Sequence, residues 1–169
     1  MSDGLTIREA SSEDAATIAT LFSEFNAILG ADGLPEHEAF LPENANIHAS
    51  TMARRLESMR EVERVFVAAV DGMPAGLICL RLVPYIGQDV PFAEVTQLYV
   101  RAAFKRQGIG AALIVVAEHA ARQAGATCVH IITGAVDNDD AQAFYRAQGY
   151  TMPGVEFVKF FSRETASAR

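Results

Sequence analysis

The stretch from Ala93 to Ala124 constrains the chain most. It reads as a strand, a short basic glycine loop and a helix. Glu94-Val95-Thr96-Gln97-Leu98-Tyr99-Val100 is rich in β-branched and aromatic residues, the signature of a strand. The loop runs from Arg101 to Gly110, and the alanine-rich helix after it stops at Gly125. Gly108 and Gly110, at the helix entrance, let the backbone approach a ligand without a Cβ in the way. The first turn of a helix has free N–H groups and the positive end of the macrodipole, so it attracts anions. Arg101, Lys105 and Arg106 add positive charge, with no acid among them, in a chain whose net charge is −7. The local chemistry is that of a phosphate-binding loop, suited to a pyrophosphate.

Two familiar phosphate loops fail against these residues. A nucleotide P-loop needs Lys-Ser or Lys-Thr after its last glycine, and Ala111-Ala112 stand there. The dinucleotide fingerprint needs Gly or Ala where Leu113 stands, with an acid about twenty positions on, where the sequence reads His130-Ile131-Ile132-Thr133. Leu98-Tyr99-Val100 followed by Lys105-Arg106-Gln107-Gly108-Ile109-Gly110-Ala111 instead resembles the Gln/Arg-x-x-Gly-x-Gly/Ala motif of the GNAT (GCN5-related N-acetyltransferase) family. Downstream, Asn138 to Tyr150 resembles that family's Asn-x-x-Ala-x-x-x-Tyr signature followed by Gly-aromatic. The resemblance covers roughly Val65 to Phe161. One departure stands out: the first motif position is Lys105, which keeps the charge and loses the planar fork of an arginine.

Composition fits this reading. Hydrophobic residues make up 50 % of the 169 and charged residues 21 %, as in a soluble globular protein, and the length suits a single domain over 1–169. The acidic balance argues against a nucleic-acid partner. Cys79 and Cys128 lie far apart in apolar runs and are expected as buried free thiols. His37, His48, His119 and His130 show no ligand spacing, so no metal site is expected. No apolar run reaches membrane-spanning length, and the N-terminus lacks a signal-peptide pattern. The expectation is a cytoplasmic protein with no membrane partner.

Along the chain, Leu5 to Arg8 alternates as a first strand, and Ser11 with Asp14 forms a capping-box pattern. Ala15, Ile18, Leu21, Phe22, Phe25 and Leu29 give a helix an apolar face that ends at Gly30. Residues 31–46 read as a loop, and a shorter helix follows from about Ile47 to Met59. Arg64–Val70 and Pro74–Val83 are strands around the Asp71-Gly72 turn. After the Ala-rich helix come a short buried-type strand (Cys128–Thr133), a helix (Asp140–Ala147) and a last strand (Glu156–Phe161). The order β-α-α-β-β-β-α-β-α-β predicts an α+β fold, a three-layer arrangement with a mixed, mostly antiparallel central sheet and helices on both faces. It matches the GNAT acyl-CoA N-acyltransferase order.

The resemblance implies an acetyl-CoA-dependent N-acetyltransferase acting on a primary amine of a small molecule, a peptide or a protein lysine. The alternative from another class is a non-catalytic module of the same fold that binds acyl-CoA as a sensor. By resemblance, Leu98, Tyr99 and Val100 offer backbone groups to the pantetheine arm, and an N–H near Tyr99 or Val100 polarises the thioester carbonyl. Lys105, Arg106, Gln107, Gly108, Ile109, Gly110 and Ala111 hold the pyrophosphate, and Asn138 holds the pantetheine. Tyr145 matches the general acid near the sulphur; a phenol is neutral at pH 7 and can donate a proton. Each has a plainer role available: core packing for the strand and Tyr145, a helix cap for Asn138.

Glu94 is the candidate base, by its match to the histone-acetylating branch of the family. Regular alternation places Glu94, Thr96, Leu98 and Val100 on one strand face, unless a bulge before the motif alters the phase. A solvent-facing strand glutamate is the plainer reading, and a water chain is an alternative base. Glu24, Asp32, Glu36, Glu38 and Tyr85 lie in segments that the resemblance puts on the acceptor side, where acids would suit an amine. Relatives that pair through C-terminal strands imply a homodimer.

Overall fold

The structure is a computed structural model that describes residues 4–30, 47–133 and 139–154. The predicted loop at 31–46, with Asp32, Glu36 and Glu38, lies outside them, as do Asn138, the predicted strand at 156–161 and any pairing through that strand. Five strands form one sheet in the order β1-β2-β3-β4-β5: β1 (Leu5–Glu9), β2 (Glu63–Val70), β3 (Met73–Val83), β4 (Phe92–Val100) and β5 (Val129–Ile131). The first three pairings are antiparallel, and β4 with β5 is parallel. The helices are α1 (Ala15–Gly30), α2 (Ala49–Ser58), α3 (Ile109–Gln123) and α4 (Asp139–Ala147). The mixed, mostly antiparallel sheet with helices on both faces is the expected α+β fold.

The layers follow from the apolar spacing. Ile18 and Leu21 of α1 and Met52 of α2 pack on Val65, Val67, Leu77, Cys79 and Tyr99 on one sheet face. Ile109, Leu113, Ile114 and Ala117 of α3 pack on Phe66, Ile78, Leu80, Ala93 and Val95 on the other. Each such leucine or isoleucine, removed from water, contributes about 1.5–3 kcal/mol. The hairpin between β2 and β3 turns at Asp71 (φ 49°) and Gly72 (φ 79°), the left-handed pair that matches strand twist.

Two expectations change. Cys79 is buried, but Cys128 is exposed, with its sulphur 3.5 Å from Nε2 of His130; the apolar run around it belongs to a strand whose residues are only partly covered. For the same reason β5 is not a buried-type strand: it is short and forms the sheet edge among the described residues.

Candidate functional site

The glycine loop is built as the sequence suggests, with a division of labour between its glycines. After β4 a 3₁₀ turn (Ala102–Phe104) leads to Lys105 and to Arg106, which takes a left-handed φ of 64°. Gly108 caps α3 with φ 81°, and a Cβ placed there would meet nothing within 4 Å. Its glycine is required by conformation, and the space beside its backbone is open. Gly110 differs: its Cβ would lie 3.3 Å from Cζ of Phe144. Packing thus also favours glycine at Gly110, beside the expected close approach to a phosphate, because α4 rests on the first turn of α3 at this point. The amides of Ile109, Gly110 and Ala111 begin the helix and have no carbonyl one turn back. Ile109 is buried, so it can offer a ligand only its backbone. Lys105, Arg106 and Gln107 are exposed, and neither Lys105 nor Arg106 is in an ion pair among the described residues.

Arg101 does not join them. Its guanidinium donates to both oxygens of Glu24 on α1, at 2.9 Å from Nε and 2.8 Å from Nη2, and to the carbonyl of Pro74 at 2.8 Å. The Tyr99 hydroxyl donates to the same carboxylate at 3.2 Å. The Arg101 bonds, followed by its charge, hold the Glu24 carboxyl below its usual range. Glu24, expected near an acceptor, is thus committed to holding α1 against the end of β4.

β4 carries the main geometric finding. It pairs with β5 only over Ala93–Val95, opposite Val129–Ile131, and β5 then ends. From Thr96 to Val100 the strand has no partner on that side among the described residues. On the other side the register with β3 slips: Cys79 faces Gln97, whereas Leu80 faces Val95, so Thr96 is an extra residue. Such a bulge reverses the alternation. Ala93 and Val95 face α3, and beyond the bulge Leu98 and Val100 do so instead. Tyr99 faces α1. The expectation of Glu94, Thr96, Leu98 and Val100 on one face is therefore corrected: Glu94 leaves the strand on the α1 side and Leu98 and Val100 on the other.

Around Glu94 lies a polar patch that sequence reasoning missed. Arg81 is its register partner on β3, with Nη1 3.7 Å from Oε2. Glu63 of β2 is in turn the register partner of Arg81 and accepts a hydrogen bond from the Thr96 hydroxyl. Oε1 of Gln97 is buried without a hydrogen-bond partner among the described residues. His130 of β5 sits beside Glu94 in the parallel register, its ring stacked on Phe92 at 4.6 Å. The signal for Glu63 and Arg81 was their position in the β2–β3 hairpin. Counting back from the Asp71-Gly72 turn sets Glu63 opposite Leu80; an irregularity at Ala68/Ala69 moves it to Arg81.

Tyr145, on α4, packs with Phe144 and Tyr150 against the α3 side of the sheet, in the cluster that holds Leu98 and Val100. Burial pushes its phenol up from the usual value, which keeps it protonated at neutral pH. Tyr150 is pushed up further, by burial and then by the charge of Glu118. Glu94 and Tyr145 thus flank β4 from opposite faces. Tyr85 is exposed in the β3–β4 connection. Two cavities among the described residues lie elsewhere, one between the end of α3 and Tyr150, the other beside Glu9 and Arg64. Among the described residues no group of His, Cys, Asp and Glu could hold a metal, and no helix is long and apolar enough to cross a membrane.

Comparison with known proteins places this geometry. Residues 33–150 match the acetyltransferase (GNAT) family. An aminoalkylphosphonate N-acetyltransferase of Salmonella typhimurium is 31 % identical over 93 residues, which are 55 % of this chain and 60 % of that protein. The match therefore spans less than two thirds of that relative. An aminoglycoside acetyltransferase from an uncultured soil metagenomic sample, solved with trehalose, superposes with a TM-score of 0.76 at 23 % identity, covering 95 % of this chain and 97 % of that one. A ribosomal-protein-alanine N-acetyltransferase from Brucella melitensis superposes with a TM-score of 0.71 at 18 % identity, over 94 % of this chain and 100 % of the other. These superpositions establish a shared fold.

Proposed function

The chain belongs to the acetyltransferase (GNAT) family, and on that premise we propose that it moves an acetyl group from acetyl-CoA to a primary amine of a small molecule, peptide or protein lysine. The observation that supports this most is Thr96–Val100 of β4, whose side away from β3 has no partner among the described residues and which ends at an exposed basic loop and a helix start. A pantetheine arm lying along that edge would satisfy backbone groups that no strand among the described residues satisfies, as an added strand would. The pyrophosphate would meet the first amides of α3 beside Gly108, with Lys105 and Arg106 supplying charge. Asn138, outside the described residues, keeps its proposed role at the pantetheine.

The reaction is direct attack in a ternary complex. The amine nitrogen forms a C–N bond to the thioester carbonyl and the C–S bond breaks. The amine must first be neutral, so a base takes its proton; Glu94 is the proposed group. A backbone N–H near Tyr99 or Val100 would stabilise the negative oxygen that develops. The departing thiolate takes a proton from Tyr145, whose raised pKa keeps that proton available. Glu94 and Tyr145, on opposite sides of β4, would then work on opposite ends of the breaking bond.

Two measurements test this assignment. Calorimetry should show acetyl-CoA binding, with no binding of ATP or NAD, and Lys105→Ala combined with Arg106→Ala should weaken it about tenfold or more, most strongly at low salt. Unchanged affinity in that variant would remove the loop from the site. In turnover, Glu94→Gln should lower kcat/KM near neutral pH and move its acidic limb to higher pH, recovering in base, where the amine is already neutral. An acidic limb unchanged in Glu94→Gln would pass the base to water or to neighbouring His130.

A further inference from the structure

We propose that Glu63 is a positioning residue: by holding the Thr96 hydroxyl it pins the bulge of β4 and so sets the face on which Glu94 leaves the strand. The proposal rests on the reading of Glu94 as the base. A bulged residue has no counterpart in the neighbouring strand, so the ladder of backbone hydrogen bonds does not fix its location. Moving the extra residue from position 96 to a position before Glu94 would turn Glu94 towards α3 and away from its present surroundings. The burial of Ala93 and Val95 against α3 opposes that shift, and a side-chain tie would add to it.

The structure supplies one candidate tie. Glu63 opens β2, two strands away from Thr96, and its carboxylate reaches over β3 to accept from the Thr96 hydroxyl. It does so on the face it shares with Arg81 and Glu94, since Glu63 pairs with Arg81 and Arg81 with Glu94. Cys79 lies beneath the same patch: its thiol is pushed up by burial and then by the charge of Glu63. A hydrogen bond to a charged acceptor in such a half-buried place is stronger than a neutral one. The tie is also specific to a hydroxyl. Valine at the same place would keep the β-branched shape and lose the donor.

Four variants and two readouts test it. Thr96→Val and Glu63→Ala should each lower kcat about tenfold or more, with a much smaller loss of acetyl-CoA affinity in calorimetry, as expected for a displaced catalytic group. The double variant should lose no more than either single one, and Thr96→Ser, which keeps the hydroxyl, should retain turnover. Amide deuterium exchange is read on the same proteins and needs no turnover. In Thr96→Val and in Glu63→Ala it should quicken at Gln97 and Leu98 and stay as in the wild type in α3 and in β2. Exchange at Gln97 and Leu98 unchanged in Thr96→Val would overturn the pinning role, whatever the amine-transfer assay shows. Faster exchange with normal kcat would leave the bulge pinned but separate it from Glu94. That result would overturn the positioning claim and leave the acetyl-transfer reading intact.

Discussion

Asp14 is the one charged side chain among the described residues that is buried, and its surroundings explain why it is tolerated. Arg8 meets it with two bonds of 2.7 and 2.6 Å, and the Ser11 backbone amide donates to it at 2.9 Å. These bonds, the Arg8 bond first, bring its carboxyl down to about 2 against the opposing effect of burial. A carboxyl depressed in the folded state stabilises the fold above its unfolded value. That contribution is lost as pH falls from the ordinary carboxylate range through about 2. Asp14→Asn should therefore cost about 1–2 kcal/mol in urea unfolding at pH 7, and the gap to wild type should narrow steadily as the buffer is acidified below pH 4. A gap of constant size would assign the loss to packing. Tyr145 is tested by deleting one atom. Tyr145→Phe should lower kcat about 10²-fold or more at every pH, while acetyl-CoA affinity stays put. Full activity in Tyr145→Phe would transfer the proton donation to another group.

At the scale of elements, the junction between α1 and the end of β4 depends on Glu24, Arg101 and Tyr99. Glu24→Gln removes the charge and half of a forked pair at a partly exposed place, so screening limits the loss to about 0.5–1 kcal/mol in chemical unfolding. The Glu24 carboxyl is lowered, so the same sign applies: its contribution is present at neutral pH and fades on acidification. A variant as stable as the wild type at pH 7 would mean the pair is fully offset by its desolvation. Elements are also where the sequence was most informative. The apolar spacing of Ile18 and Leu21, the Asp71-Gly72 turn and the Gly108 helix start all appear where local pattern put them, because each follows from neighbours in the chain. The bulge at Thr96 was legible only as an option. Its location depends on Cys79, Leu80 and Glu63, residues that come close only after the sheet has formed. Arg101 was misjudged for the same reason: a cation next to a glycine loop resembles a phosphate ligand until the helix carrying Glu24 is seen to cover it.

For the whole molecule, the sheet does one thing for function: it delivers a strand whose second half lacks a partner on one side among the described residues, a helix start at its end and two candidate proton-transfer groups on its opposite faces. A sensor and an enzyme would share all of this and differ only in whether the thioester is broken. The most direct test is thiol release from acetyl-CoA by the purified full chain, followed against a panel of polyamines, amino sugars, aminoalkylphosphonates, amino acids and lysine peptides, with the acylated product weighed by mass spectrometry. At least one amine should give thiol and N-acetyl product in equal amounts, and Tyr145→Phe should suppress both together. Acetyl-CoA that binds in calorimetry and yet releases no thiol with any amine would contradict acetyl transfer and identify the chain as an acyl-CoA-binding module.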